Sequence, residues 1–96
     1  MQSESSMITV TVMFFGQIRQ ITGVSQRAIS LGTGAKLTDL VVRLNEEYGP
    51  SFAEEVSRIQ GLRILINGRE YSLLGGMQAP LSDGCTVVFM PPIAGG

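Results

Sequence analysis

The sequence predicts an α+β roll: a mixed sheet of four to five strands with one main crossover helix on one face. Three observations carry this. Residues from Met7 onward alternate with period two, one strongly amphipathic segment starts at Leu37, and the last run, Thr86–Met90, is apolar on both sides. Period two marks a half-buried strand, while apolar residues three and four apart mark a surface helix. A run that is apolar on both sides belongs at the centre of a sheet. Two opening strands that pair antiparallel, then a helix, then a return to the centre place the first and last strands side by side and parallel.

Residues 1–6 (MQSESS) are polar and read as a disordered N-terminus. From Met7 the chain alternates, with Ile8, Val10, Val12 and Phe14 on one face and Thr9, Thr11, Met13 and Phe15 on the other. Gly16 breaks this strand, and Gln17–Ile21 suits a short helical turn. Ser25–Leu31 is a second, more polar strand. Leu37, Leu40, Val41, Leu44 and Tyr48 follow helical spacing over about twelve residues, with Asp39 near the positive end of the helix dipole. Lys36 stands where a Ser, Thr or Asp cap is expected, so the helix start is ambiguous. Gly49-Pro50 ends the helix. Ser51–Ile59 suits another short turn with Phe52, Val56 and Ile59 inward. Leu62–Ile66 is a strand, and Asn67-Gly68 turns it into a short partner at Arg69–Tyr71. A loop, LLGGMQAPLSDG, leads to the final strand.

The chain has 96 residues, seven Lys and Arg against eight Asp and Glu, one cysteine, and neither histidine nor tryptophan. This length gives one domain that buries roughly 60–70% of its unfolded surface without disulfides or metals. Lack of histidine removes the usual general base and the commonest metal ligand, and a single cysteine leaves no zinc cluster. The balanced charge gives no electrostatic case for nucleic acid or an anionic membrane. The longest apolar stretch, Met7–Phe15, is too short to span a bilayer and lacks the basic flank of a signal peptide. A cytoplasmic protein is therefore expected. Catalysis, if the chain takes part in it, is expected on a partner's active site.

Pro91-Pro92-Ile93-Ala94-Gly95-Gly96 follows the last strand. The proline pair cannot continue a ladder and favours an extended exit, and six residues reach at most about 20 Å. Two glycines make a thin tip that carries the ionised carboxylate of Gly96. Two readings are open at this point. The tail presents one carboxylate to a narrow channel in a partner, or it is an idle chain end of the Pro/Gly-rich kind.

Three segments bear a family resemblance. They are VTVMFFGQIRQITG with its Phe-Phe-x-Gln-x-Arg opening, the helix KLTDLVVRL, and PLSDGCTVVFMPPIAGG. The last is the most specific. Together they make the chain similar to small sulfur carriers of the ubiquitin-like β-grasp class (the MoaD/ThiS type), most of all to the MoaD family of molybdopterin synthase small subunits. Residues 7–90 then form the β-grasp domain and 91–96 an extended tail. Cys85 departs from the family, which usually has an acidic residue after Asp-Gly. The resemblance implies that a ubiquitin-activating-type adenylyltransferase uses ATP to adenylate Gly96. A persulfide sulfur donor then leaves a thiocarboxylate, and the end enters a larger molybdopterin synthase subunit. No cofactor is bound by the carrier itself, and the chain is not an enzyme but a subunit of such a synthase complex.

On this reading Gly96 and Gly95 are the reacting end. Phe15, Arg19, Met90, Pro91, Pro92, Ile93 and Ala94 are the partner-binding residues. Phe15, Met13 and Met90 share the sheet face opposite the helix, either as an exposed apolar patch or covered in part by the loop from Leu73 to Leu81. Arg19 either pairs with a partner carboxylate or is a solvated charge. Cys85 reads as a small buried hydrophobe, Gly75-Gly76 and Asp83-Gly84 as turns, and Glu46-Glu47 and Glu54-Glu55 as solvated helix faces. Alternatives to the molybdopterin pathway are a carrier for cysteine or thiamin synthesis, an archaeal-type modifier forming isopeptide bonds to lysines, and a non-covalent β-grasp interaction module.

Overall fold

A computed structural model describes residues 7–92. The expectations for residues 1–6, and for Ile93, Ala94, Gly95 and Gly96, lie outside the described residues. The chain runs β1 (Met7–Phe14), α1 (Gly16–Thr22), β2 (Gln26–Gly32), α2 (Leu37–Tyr48), α3 (Ser51–Ser57), β3 (Arg63–Ile66), β4 (Arg69–Glu70) and β5 (Thr86–Met90). Five strands form one sheet in the order β2-β1-β5-β3-β4. β1 pairs antiparallel with β2 and parallel with β5, so the last strand sits at the centre as its two-sided apolar pattern requires. β3 pairs antiparallel with β5 and, through the hairpin, with β4.

The helices occupy one face because the apolar residues of sheet and helices meet there. Ile8, Val10, Val12 and Phe14 of β1 are buried with Val87 and Phe89 of β5 and Ile64 and Ile66 of β3. Leu37, Leu40 and Leu44 of α2 and Phe52 and Val56 of α3 close over them. Phe14, Phe52 and Phe89 form an aromatic knot with centroids 6.0–6.3 Å apart, which Tyr48 joins from the end of α2. Arg27 on β2 ties to the same helix. Its guanidinium donates to the Tyr48 hydroxyl at 3.3 Å and pairs with Glu47 at 2.7 Å, contacts that hold it even more firmly protonated.

The ambiguous start of α2 is resolved by Asp39, whose carboxylate accepts the Lys36 backbone N–H at 2.8 Å. The acid in the first turn thus does part of a cap's work although Lys36 cannot. The expected strand at Arg69–Tyr71 is only two residues long, because Tyr71–Leu74 turns into a 3₁₀ segment and Gly76–Gln78 forms another. The loop is therefore structured, and it docks beside α2. Ala79 accepts the Leu37 N–H at 2.9 Å, the Leu81 N–H reaches the Ala35 carbonyl at 2.9 Å, and Ala79 and Leu81 are buried.

Asn67 has φ +50° in the hairpin turn, and its side-chain oxygen accepts the Thr86 N–H at 2.9 Å. Asparagine suits both demands, since it tolerates the left-handed region better than other residues with a Cβ and supplies an acceptor. Asn67→Ala should cost about 1–2 kcal/mol by losing the bond and keeping the strained backbone. Thermal unfolding checks it: the alanine variant should melt lower than Asn67→Gly, which loses only the bond. Equal losses would show that the backbone term is absent.

Candidate functional site

The functional site expected at the chain's end is rooted where β5 leaves the sheet. Its neighbours fix that root from both sides. On the β1 side the Phe15 N–H donates to the Phe89 carbonyl at 3.1 Å, one residue past the strand. On the β3 side Met90 is paired with Arg63. Beyond this point Pro91 and Pro92 offer no N–H to either neighbour, so the ladder stops and the chain is released outward.

Two glycines receive the prolines. Gly16, the residue after Phe15, has φ +59°, and a Cβ built on it would lie 2.7 Å from Pro91 Cγ. Gly61, just before β3, has φ +75°, and its Cβ would lie 3.1 Å from both Cβ and Cγ of Pro92. In the sequence Gly16 reads only as a strand break, and Gly61 carries no signal of its own. The available signal was indirect: a Pro-Pro pair leaving a central strand needs room beside both neighbouring strands.

The sheet face opposite the helices is open. Met13, Val88 and Leu65 are registered across β1, β5 and β3, and Met90 follows on β5. All four are half-buried, and Phe15, still extended at φ −122°, carries the alternation on with 42% of its surface exposed. The end of the loop from Leu73 to Leu81 is tied to α2 and its approach through Ala79 and Leu81, and Leu74 packs against the core. Arg63 and Glu70 form an ion pair at its rim, with Nε to Oε2 at 2.7 Å. An apolar strip bounded by charges is the make-up of a protein contact surface.

Arg19 lies on α1 near the tail root. It is exposed, and among the described residues its guanidinium makes no ion pair. On the helix face an apolar groove of about 430 Å³ runs between α3 and the 3₁₀ segments, lined by Phe52, Val56, Leu62, Tyr71 and Met77 and reaching Gly61. Cys85 is buried at 3% exposure. Among the described residues no group of three acidic, cysteine or histidine side chains is placed to hold a metal, and no helix is long and apolar enough to cross a membrane. The described part of the site comprises an apolar sheet face and the exit of the chain beside it.

The family model described as "ThiS family" matches residues 12–96, from the middle of β1 to the final glycine. The chain belongs to the ThiS family. This is a family of small sulfur carriers and ubiquitin-like proteins rather than of catalytic enzymes. Small archaeal modifier protein 3 of Haloferax volcanii is 31% identical over 86 residues, covering 86% of this chain and 94% of that protein. The molybdopterin synthase sulfur carrier subunit of Mycobacterium tuberculosis is 29% identical over 91 residues, 94% of this chain and 100% of that protein. The solution structure of small archaeal modifier protein 1 from Methanosarcina acetivorans superposes with a TM-score of 0.74 at 26% identity, covering 94% of this chain and 98% of that one. A subunit in the complex of subunits 1 and 2 of the molybdopterin-converting factor of Helicobacter pylori matches at TM-score 0.61 and 25% identity, over 93% and 100%. The α+β roll is thus the ubiquitin-like β-grasp fold, and the ThiS-family resemblance carried by the tail, helix and opening motif holds across the chain.

Proposed function

We propose that this ThiS-family protein carries sulfur on its C-terminus for molybdopterin synthesis. The observation that carries the reading is the exit of the central strand through Pro91 and Pro92, beside an open apolar sheet face and ahead of Ile-Ala-Gly-Gly. In this reading the domain docks and the tail reacts. A partner adenylyltransferase binds ATP, and the Gly96 carboxylate attacks its α-phosphorus, releasing pyrophosphate. The acyl adenylate has AMP as its leaving group: the outer sulfur of a donor's persulfide displaces AMP to give an acyl disulfide, and a second thiol on the donor side then cleaves its S–S bond, becoming a disulfide and releasing the thiocarboxylate. The thiocarboxylate then enters the larger synthase subunit and gives up its sulfur there. Gly95 and Gly96 keep the tip thin enough for such channels. Ile93 and Ala94 fill the space between tip and root, and Phe15, Arg19 and Met90 meet the partner. The carrier needs no base of its own because the partners supply it. Both of those partners, and the ATP, work in the cytoplasm on this reading.

A second reading, attachment of the C-terminus to lysines of other proteins, is supported by the 31% identity to an archaeal modifier. One experiment separates the two. The chain is incubated with an adenylyltransferase of the ubiquitin-activating type, ATP and a sulfur donor, alkylated, and weighed intact. The carrier reading expects one alkylated thiocarboxylate at the C-terminus. An unmodified C-terminus throughout would overturn it, and conjugates that vanish on deleting Gly95 and Gly96 would favour the modifier.

A further inference from the structure

We propose that Gly16 and Gly61 are positioning residues, a two-sided seat for the rings of Pro91 and Pro92 that fixes where the tail leaves the domain. The geometry stands alone, while its chemical consequence rests on the carrier reading above. Nine described glycines have positive φ, so turn-making by itself singles out none of them. What distinguishes these two is what they touch. At Gly23, Gly34, Gly49, Gly68, Gly76 and Gly84 an added Cβ would meet nothing within 4 Å, and at Gly75 it would meet only ordinary contacts of 3.6 Å or more. Among these nine, only Gly16, with a clash at 2.7 Å, and Gly61, with a tight contact at 3.1 Å, would crowd a neighbour, and in both cases the atoms met belong to the proline pair. Carbon atoms in good contact sit about 3.5–4.0 Å apart, so beside a side chain the Pro91 ring must move and the Pro92 ring must give by a few tenths of an ångström.

The seat is bilateral because Gly16 follows β1 and Gly61 precedes β3, the two strands that flank β5. Proline's ring already fixes φ near −65°. With a ring held on each flank, the backbone is held in direction as far as Pro92. Four residues remain beyond it, which span at most about 14 Å. A partner docked on the sheet face must therefore place its reacting atom within that distance of Pro92. The seat acts as the origin of a ruler, and its two glycines set the zero mark.

Two measurements test this. Carbon-13 relaxation on the free full-length chain should give Pro91 and Pro92 order parameters near that of Met90, about 0.85; values below about 0.6 would overturn the seat. In ATP–pyrophosphate exchange with an adenylyltransferase of the ubiquitin-activating type, Gly16→Ala should lower kcat about tenfold with KM nearly unchanged, because docking survives while aim is lost. Gly16→Ala combined with Pro91→Ala should regain part of that kcat, since the ring carbons 2.7 and 3.1 Å from the new Cβ are gone, the retained Cβ is 3.9 Å away, and Pro92 keeps its own seat. A purely structural role predicts no such rescue, and an unchanged kcat in Gly16→Ala or a failed rescue would overturn the proposal. Absence of exchange with the wild-type chain would count against the carrier reading instead, and the relaxation result would still decide the seat.

Discussion

One alanine added after Gly96 should abolish sulfur loading while leaving the melting temperature unchanged. The buried core of the described residues runs from Ile8 to Phe89 and so ends seven residues before Gly96 in sequence. On the proposed carrier reading, by contrast, the chemistry is concentrated at the terminal carboxylate. One more residue moves that group about 3.5 Å and places a methyl group where the tip must be narrow. A misplacement of about 1 Å in a reacting group is enough to cost about a hundredfold in rate, so a shift of this size should leave no measurable product. Intact mass after alkylation reads the loading, and thermal unfolding reads the stability. Loading retained by the extended chain would refute the role given to Gly96. A melting temperature that fell with the loading would point to a structural cause.

Phe14→Ala should be the most damaging single substitution in the core. Phe14 is 1% exposed and stacks near Phe89 at 6.0 Å and 28°, with Tyr48 and Phe52 edge-on at 6.0 and 6.3 Å. It therefore joins the two central strands to α2 and α3. Removing such a ring costs about 3–5 kcal/mol, and a domain of this size has about 5–14 kcal/mol in all. Melting should fall by about 20 °C, with Phe14→Leu in between. Chemical denaturation gives the free energy, and a loss below about 1.5 kcal/mol would show that the aromatic knot does not organise the core. The damage should also reach the tail root, because Phe15 and Gly16 follow directly and hold Phe89 and Pro91.

The elements with a strong period were legible before any coordinates. Leu37–Tyr48 has its expected bounds because its apolar stripe and Gly49-Pro50 act together, and Thr86–Met90 takes the centre because it has no polar face. Short elements shifted where local and tertiary preferences compete. Arg69–Glu70 stops early because Tyr71 turns toward the groove under α2 and α3 rather than extending an edge strand. At the site, residue types on the strand were readable from alternation: Met13 and Met90 do share the open face. The contacts of Gly16 and Gly61 were not, since they join positions 75 and 31 residues away in sequence, and a glycine announces only missing atoms. The course of the loop was not readable either, because two backbone hydrogen bonds tie Ala79 and Leu81 to Leu37 and Ala35, more than forty residues away.

The placement of Lys36 and Cys85 has a consequence for the lifetime of an activated end. Lys36 is the chain's one lysine, held by Gln78 at 3.2 Å, and it follows β2 at the pole where β1 begins. Cys85, buried, stands at the start of β5. The tail departs from the opposite pole, so β1's eight residues, about 26 Å of strand, lie between it and the lysine. Four residues of tail cannot fold back across that distance. Six of the seven basic side chains are arginines, which stay protonated and make poor attackers. On the carrier reading, an acyl adenylate at Gly96 would thus be insulated from attack by the lysine and the cysteine of its own domain.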